Sequence, residues 1–160
     1  MSGFHLAQLN VARLAAPFES PQIAGFRDNL DRINALAEDS PGFVWRAVGE
    51  GFDSDKPGYD IDPLILPNMS VWESAEALAA FVYRSGHMAI FKQRHDWFEP
   101  TTEASFVLWW IPAGTLPSRL DAFARLDHLR ANGPTSHAFD FRTRFSAPAL
   151  TDSPALKARP

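Results

Sequence analysis

The sequence predicts a single α+β domain, and three observations lead to that fold class. First, 160 residues are the usual length of one domain rather than two. Second, apolar residues alternate along some segments, as in strands, and recur every three or four positions along others, as in helices. Third, the core segments follow the order strand–helix–strand–strand–helix–strand, with one more helix behind them. That order is the ferredoxin-like βαββαβ arrangement, which we place in residues 1–147, before a Pro- and Ala-rich frayed tail at 148–160.

The first half of the domain contains two predicted strands on either side of a helix. The first strand is predicted over residues 4–11. Its two faces carry Phe4, Leu6, Gln8 and Asn10 on one side and His5, Ala7, Leu9 and Val11 on the other. Ser20, followed by proline, is a favourable start for a helix. Apolar residues at helical spacing then predict one amphipathic helix over residues 23–37. The second strand covers residues 43–48.

The second half contains another strand and two helical pieces after a loop at residues 49–63 that is rich in Gly, Asp and Pro. The third strand covers residues 64–72, and Pro67 argues for an edge position or a bulge there because proline cannot donate to a ladder. Ser74 caps the helix that follows. A glycine then interrupts the apolar stripe, and we expect a second helical piece over residues 87–98.

The last predicted strand of the core, at residues 105–111, is apolar on both faces. Helices cover only one face of a ferredoxin-like sheet, so we expect a second copy of the chain to cover the other. This predicts a homodimer in which two sheets pack together.

The appended helix begins at Ser118, and its predicted apolar stripe contains Leu120, Phe123, Leu126 and Leu129. Residues 139–145 predict a short additional strand.

Charge and cysteine content exclude several classes of partner and cofactor. Lys and Arg number 15 against 19 Asp and Glu, a net charge of −4, so we expect neither nucleic acid nor an anionic membrane as a partner. The chain has no Cys, which excludes disulfides and thiolate metal sites. We expect no zinc, because His87 and His95 are about two helical turns apart. No dinucleotide or P-loop motif occurs, so we predict no cofactor.

Neither a signal peptide nor an apolar run of about 20 residues is found, and we therefore expect a cytoplasmic protein without membrane contacts.

Polar residues alternate with apolar ones on the first and third strands. Gln8 and Asn10 share one face of the first strand, and Asn68 and Ser70 share one face of the third. If these faces coincide, the sheet has a patch of amides and a hydroxyl that could orient a carbonyl or phenolate in an apolar pocket. The alternative is that the same groups form cross-strand hydrogen bonds that set the register.

Aromatic residues are numerous enough to line a pocket for a flat molecule, although simple core packing explains most of them better. As candidate walls of such a pocket we select Trp45, Trp72, Phe91 and Trp110. Arg46 lies in the middle of a strand, where a guanidinium needs an acid or an anionic ligand. A salt bridge at the dimer interface is its expected role.

The chain contains, in order, the strings HLAQLN (5–10), NLDRINALAE (29–38), SPGFVWR (40–46), SVWESAEA (70–77), FVY (81–83) and LWWIPAG (108–114). Together with His87 these strings resemble the bacterial domain-of-unknown-function family 3291, over roughly residues 4–147. The resemblance implies membership of the dimeric α/β-barrel group, which includes antibiotic-biosynthesis-type monooxygenases, haem-degrading oxygenases and some polyketide cyclases. The pattern from Val71 to Ser74 before a helix is similar to that of the monooxygenases.

The resemblance also implies a ligand cavity between the sheet and the helices, with Asn10 and His87 at its edge. We expect a small-molecule-binding protein, a cofactor-independent monooxygenase-like or isomerase/cyclase-like enzyme acting on a flat, mostly apolar substrate. His87 would remove a proton, and Asn10 with Asn68 or Ser70 would stabilise the anion.

Two alternatives remain open. In a haem-binding protein His87 would be the axial ligand, although its spacing from Trp72 differs from that in the haem-degrading relatives. In a non-catalytic module the same fold would bind a hydrophobic ligand or a protein partner.

Overall fold

The computed structural model describes residues 3–48, 62, 64–84 and 92–149. Its core is a four-stranded antiparallel sheet in the order β2-β3-β1-β4. The strands are β1 (Phe4–Arg13), β2 (Phe43–Arg46), β3 (Ile65–Trp72) and β4 (Phe106–Pro112). This sheet order and the helices between the strands confirm the ferredoxin-like α+β fold.

The described helices are α1 (Ala24–Arg27), α2 (Leu30–Glu38), α3 (Ala75–Arg84), α4 (Arg94–Trp97) and α5 (Arg119–Asn132), and a 3₁₀ turn at Pro21–Ile23 precedes α1. The hydroxyls of Ser74 and Ser118 accept hydrogen bonds from first-turn N–H groups of α3 and α5, as the sequence predicts. None of the helices in the described ranges is long and apolar enough to cross a membrane.

The single helix predicted over residues 23–37 is wrong, because the segment divides into a 3₁₀ turn, α1 and α2. The carbonyl of Gly25 accepts from the side-chain amide of Asn29 at 2.7 Å, while the backbone N–H of Asn29 donates to Phe26 at 3.1 Å. A side chain thus replaces the backbone bond that would continue the helix. The break lets Ile23 pack at one end of the domain and Ala37 pack on the sheet.

The two faces of the sheet carry different helices. One face, which we call the α3 face, includes Leu6, Trp72 and Leu108, and packs against Ala37 of α2 and Leu78 of α3. The opposite face, which we call the α5 face, has a core that lies against α5 and contains Ala7, Leu9, Met69, Val71, Val107, Trp109, Ala122, Leu126 and Leu129.

The sequence predicts that a second copy of the chain covers the sheet face opposite the helices. In the structure α5 of the same chain covers the α5 face. Ala7, Leu9 and Trp109 are fully buried there. The homodimer itself stays a prediction, but its expected interface is already filled. Leu120, predicted on the apolar stripe of α5, is instead 84% exposed, because the stripe in contact with the sheet is formed by Ala122, Leu126 and Leu129.

Two further expectations differ from the structure. β3 is an inner strand of the sheet, yet Pro67 fits because β2 pairs only as far as Ser70, so the proline lies beyond the part of β3 that β2 covers. Residues 139–145 form no strand and contribute one bridge, between Phe139 and Leu108. In the predicted second helical piece, the described part contains only α4.

Candidate functional site

Cross-strand pairing on the α3 face places polar residues directly beside an aromatic row. From the register, three successive rows are Trp110–Leu6–Trp72–Phe43, Leu108–Gln8–Ser70–Arg46 and Phe106–Asn10–Asn68. The first row is apolar, and the polar residues of the next two are neighbours. The faces of the first and third strands do coincide, as the predicted polar patch requires.

Hydrogen bonds join four of these residues, Gln8, Asn10, Asn68 and Ser70, which we call the amide cluster. Gln8 Nε2 donates to Ser70 Oγ at 2.7 Å and to Asn68 Oδ1 at 2.9 Å. Asn10 Nδ2 lies 3.4 Å from Gln8 Oε1. Trp72 Nε1 also donates to Ser70 Oγ, at 2.9 Å. Gln8 and Ser70 are 3% and 6% exposed, so these bonds form in a largely dry environment.

The bonding pattern leaves donors available on the cluster. The side-chain Oδ1 of Asn68 accepts from Gln8, so the Nδ2 of Asn68 points away from Gln8. The described residues offer that Nδ2 no acceptor. Ser70 Oγ accepts two hydrogen bonds, so its own O–H remains as a donor, for which the described residues show no acceptor. Asn10 Nδ2 retains a second N–H. Asn68 is exposed and Asn10 is half-buried, so the cluster is accessible at that end.

Arg46 extends the polar row onto β2. Its Nε lies 2.6 Å from Oε1 of Glu38, the last residue of α2. Arg46 therefore has an acidic partner within its own chain, and the expected salt bridge across a dimer interface stays a prediction. Glu38 lies eight residues before Arg46, and the short connection from α2 to β2 brings the two together.

The aromatic candidates take different positions. Trp72 is only 1% exposed, with its ring 5.4 Å from that of Phe43 and 5.3 Å from that of Phe81, so it forms the base of the site. Trp110 lies on the same face and donates to the carbonyl of Phe145 at 2.8 Å. Trp45 pairs with Val71 and packs on the α5 face, so it does not join the amide cluster.

His87 and Phe91 lie outside the described residues, and the predicted pocket between His87 and Asn10 stays a prediction. Among the described residues, open concave regions of about 460 Å³ and about 370 Å³ lie against α3. The first region lies between α3 and residues 40–42. The second is lined by α3 residues and by Arg144. Neither is lined by members of the amide cluster.

A second polar cluster, which the sequence analysis missed, lies where α5 meets the following turn. The rings of His128 and His137 are 4.8 Å apart, and Arg125 donates to the carbonyl of His137 at 2.7 Å. Burial, with the positive charges of Arg125 and His128, lowers the pKa of His137. The Asn-Gly-Pro string that ends α5 was the available signal that the chain folds back here. In the described ranges no three His, Asp or Glu residues gather as metal ligands.

Comparison with known proteins gives one family match and several solved structures of similar fold. The model of a domain of unknown function, DUF3291, matches residues 5–155. No curated protein matches the chain significantly.

Three of the similar solved structures are bacterial proteins of low sequence identity. SnoaB, a cofactor-independent oxygenase from Streptomyces nogalater, is 17% identical, with 71% of this chain and 98% of that chain covered and a TM-score of 0.48. NE2512, a protein of unknown function from Nitrosomonas europaea, is 13% identical, with 72% and 97% covered and a TM-score of 0.45. The monooxygenase from the gene ActVA-Orf6 of Streptomyces coelicolor, in complex with Nanaomycin D, is 15% identical, with 72% and 93% covered and a TM-score of 0.39.

Proposed function

The chain belongs to the DUF3291 family, and we propose that it binds a flat, mostly apolar small molecule at the amide cluster and stabilises an enolate or phenolate form of that molecule. The observation that supports this proposal is the set of donors on Asn10, Asn68 and Ser70 that the cluster leaves available. Cross-strand bonds that set the strand register account for the contacts of Gln8 and leave these donors unused.

Neutral donors of this kind suit an anion that develops during a reaction. Hydrogen bonds to a charged oxygen are roughly twice as strong as those between neutral groups. Donors that are already oriented need little reorganisation when charge appears on the substrate. Gln8 supplies this orientation, because its buried amide binds both Asn68 and Ser70.

The surroundings of the cluster favour a flat, apolar ligand. Leu108 and Phe106 flank it on β4, and the base formed by Trp72 lies one row away. The ring of Phe106 stacks with that of Phe141 at 5.4 Å, so an aromatic surface borders the polar groups.

The proposed chemistry begins with the transfer of a proton from an acidic carbon or a phenol of the substrate to a base, for which His87 is our predicted residue. In an isomerase- or cyclase-like reaction the anion rearranges and the proton returns, so atoms and electrons balance within the substrate. In an oxygenase-like reaction dioxygen is the co-substrate. One oxygen atom of dioxygen replaces the two hydrogens of a methylene group, which becomes a carbonyl. The other oxygen atom takes up those two hydrogens and leaves as water.

Binding of 2-hydroxy-1,4-naphthoquinone, an enolate at neutral pH, tests the proposal by isothermal titration calorimetry. We expect Asn68→Ala to weaken binding about tenfold, the effect of losing one charge-assisted hydrogen bond worth about 1.4 kcal/mol. Asn132→Ala is the matched control, since this exposed residue donates to His128 on α5. Equal affinities of wild type and Asn68→Ala, or no binding to wild type, would refute the proposal.

A further inference from the structure

Arg46 occupies an unusual place for a charged side chain. It lies on the α3 face of β2, directly beside Ser70 in the polar row. Its side chain is 27% exposed, so most of it is removed from water. The Glu38 carboxylate that pairs with it is 47% exposed and contacts Nε.

This ion pair leaves binding capacity on the guanidinium. Arginine has five N–H donors arranged in a planar fork that matches a carboxylate. A half-exposed partner such as Glu38 contributes little to stability because water screens the attraction. An acid that enters from the side of the amide cluster can therefore share the guanidinium with Glu38 or replace it.

We propose that Arg46 binds a carboxylate of the same molecule whose reacting oxygen lies at the amide cluster, which makes the substrate class a flat aromatic acid. This inference rests on the proposed function and adds the acidic group. Neighbouring strands lie about 4.8 Å apart and successive same-face residues about 7 Å apart, so the Cα of Asn10, two strands across and one row along, is about 12 Å from that of Arg46. The acid and the reacting oxygen then occupy opposite ends of a fused-ring molecule.

A purely structural role for Arg46, joining the end of α2 to β2, makes a different prediction. Loss of that tie would lower stability and weaken the binding of neutral and acidic ligands alike. Recognition of a carboxylate instead changes the ratio of the two affinities. The test therefore compares 6-hydroxy-2-naphthoate with its neutral carboxamide, 6-hydroxy-2-naphthamide, on each variant by calorimetry.

We expect the wild type to prefer the acid over the amide by about tenfold. Arg46→Gln should abolish this preference and leave amide binding unchanged, and Arg46→Lys should retain part of it, because lysine has the charge without the fork. Glu38→Gln should increase the preference, since it removes the competing carboxylate. The control is Arg130→Gln on α5, which breaks the pair of Arg130 with Glu103 and should behave as wild type.

The outcomes separate this inference from the proposed function. If the amide binds and depends on Asn68 but the wild type shows no preference for the acid, Arg46 has no such role and the proposed function stands. If neither compound binds although 2-hydroxy-1,4-naphthoquinone binds through Asn68, the inference fails and the proposed function stands. If none of the three compounds binds, or binding does not depend on Asn68, the proposed function itself fails. If Arg46→Gln does not fold, Glu38→Gln decides, and an unchanged or smaller preference for the acid overturns the inference.

Discussion

Replacing Ser70 with alanine tests the hydrogen bonds that organise the amide cluster. Ser70 Oγ accepts from Gln8 Nε2 at 2.7 Å and from Trp72 Nε1 at 2.9 Å. In the variant Gln8 Nε2 keeps its hydrogen bond to Asn68 but loses the one to Ser70, and Trp72 Nε1 loses the acceptor that the structure gives it. The indole ring is 1% exposed, so water cannot replace the hydroxyl without disturbing the core.

The cost follows from the orphaned indole N–H. A buried donor without a partner costs about 1–3 kcal/mol, and the change in side-chain volume from Ser to Ala is small. We therefore expect Ser70→Ala to lower the free energy of unfolding by about 2 kcal/mol. In a Trp72→Phe background the indole donor is already absent and only Gln8 Nε2 loses an acceptor, so the same substitution should cost about 1 kcal/mol less than in the wild type.

Urea unfolding followed by far-ultraviolet circular dichroism measures both effects without relying on tryptophan emission. Ser146→Ala, at an exposed position outside the helices and strands, is the matched control and should stay within about 0.5 kcal/mol of wild type. A Ser70→Ala variant as stable as this control would refute the reasoning. So would an equal cost in the presence and absence of Trp72.

Two further predictions concern backbone strain and pH. Gly42 has φ +84° and a Cβ there would lie 2.4 Å from the Cβ of Ala77, so Gly42→Ala should lower stability by more than about 2 kcal/mol. Gly114 has φ +88° with open space around it, so Gly114→Ala should cost only about 1 kcal/mol, and equal costs in urea unfolding would contradict the predicted clash. Burial and the charge of Arg125 lower the pKa of His137 in the folded protein, so His137 takes up a proton at higher pH in the unfolded chain than in the folded one. The stability that the neutral imidazole provides above about pH 6.5 is therefore lost as the pH falls below that value. His137→Gln should therefore lose less stability than wild type between about pH 7 and pH 5, and an equal or greater loss in urea midpoint would contradict this.

The sheet and the polar patch could be predicted because strand alternation has a period of two. Once Gln8 and Ser70 are placed on their strands, only the register remains to be found, and burial of the apolar neighbours selects it. The alternation could not show which donors stay available. That depends on the orientation of the Gln8 amide, a property of three-dimensional contacts.

The position of α5 could not be predicted, because helical periodicity defines an apolar stripe but not the surface against which it packs. Both faces of β4 are apolar, and either a second chain or α5 could have covered the second one. Leu120 shows the same limit, since it fits the stripe by spacing yet lies at the exposed start of the helix. The pairing of Arg46 with Glu38 depends on how α2 ends, which sequence spacing leaves open.

The proposed function requires that the side-chain amides of Asn10 and Asn68 donate to a bound oxygen. Two-dimensional ¹H–¹⁵N spectra of the labelled protein, with the side-chain NH₂ signals assigned by substitution, measure this directly during titration with 2-hydroxy-1,4-naphthoquinone. We predict that the Asn10 and Asn68 signals shift together with saturation, while that of Asn132 stays in place. Unmoved Asn10 and Asn68 signals, with shifts instead at the backbone amides of Glu76 and Arg84 beside the open regions on α3, would contradict it.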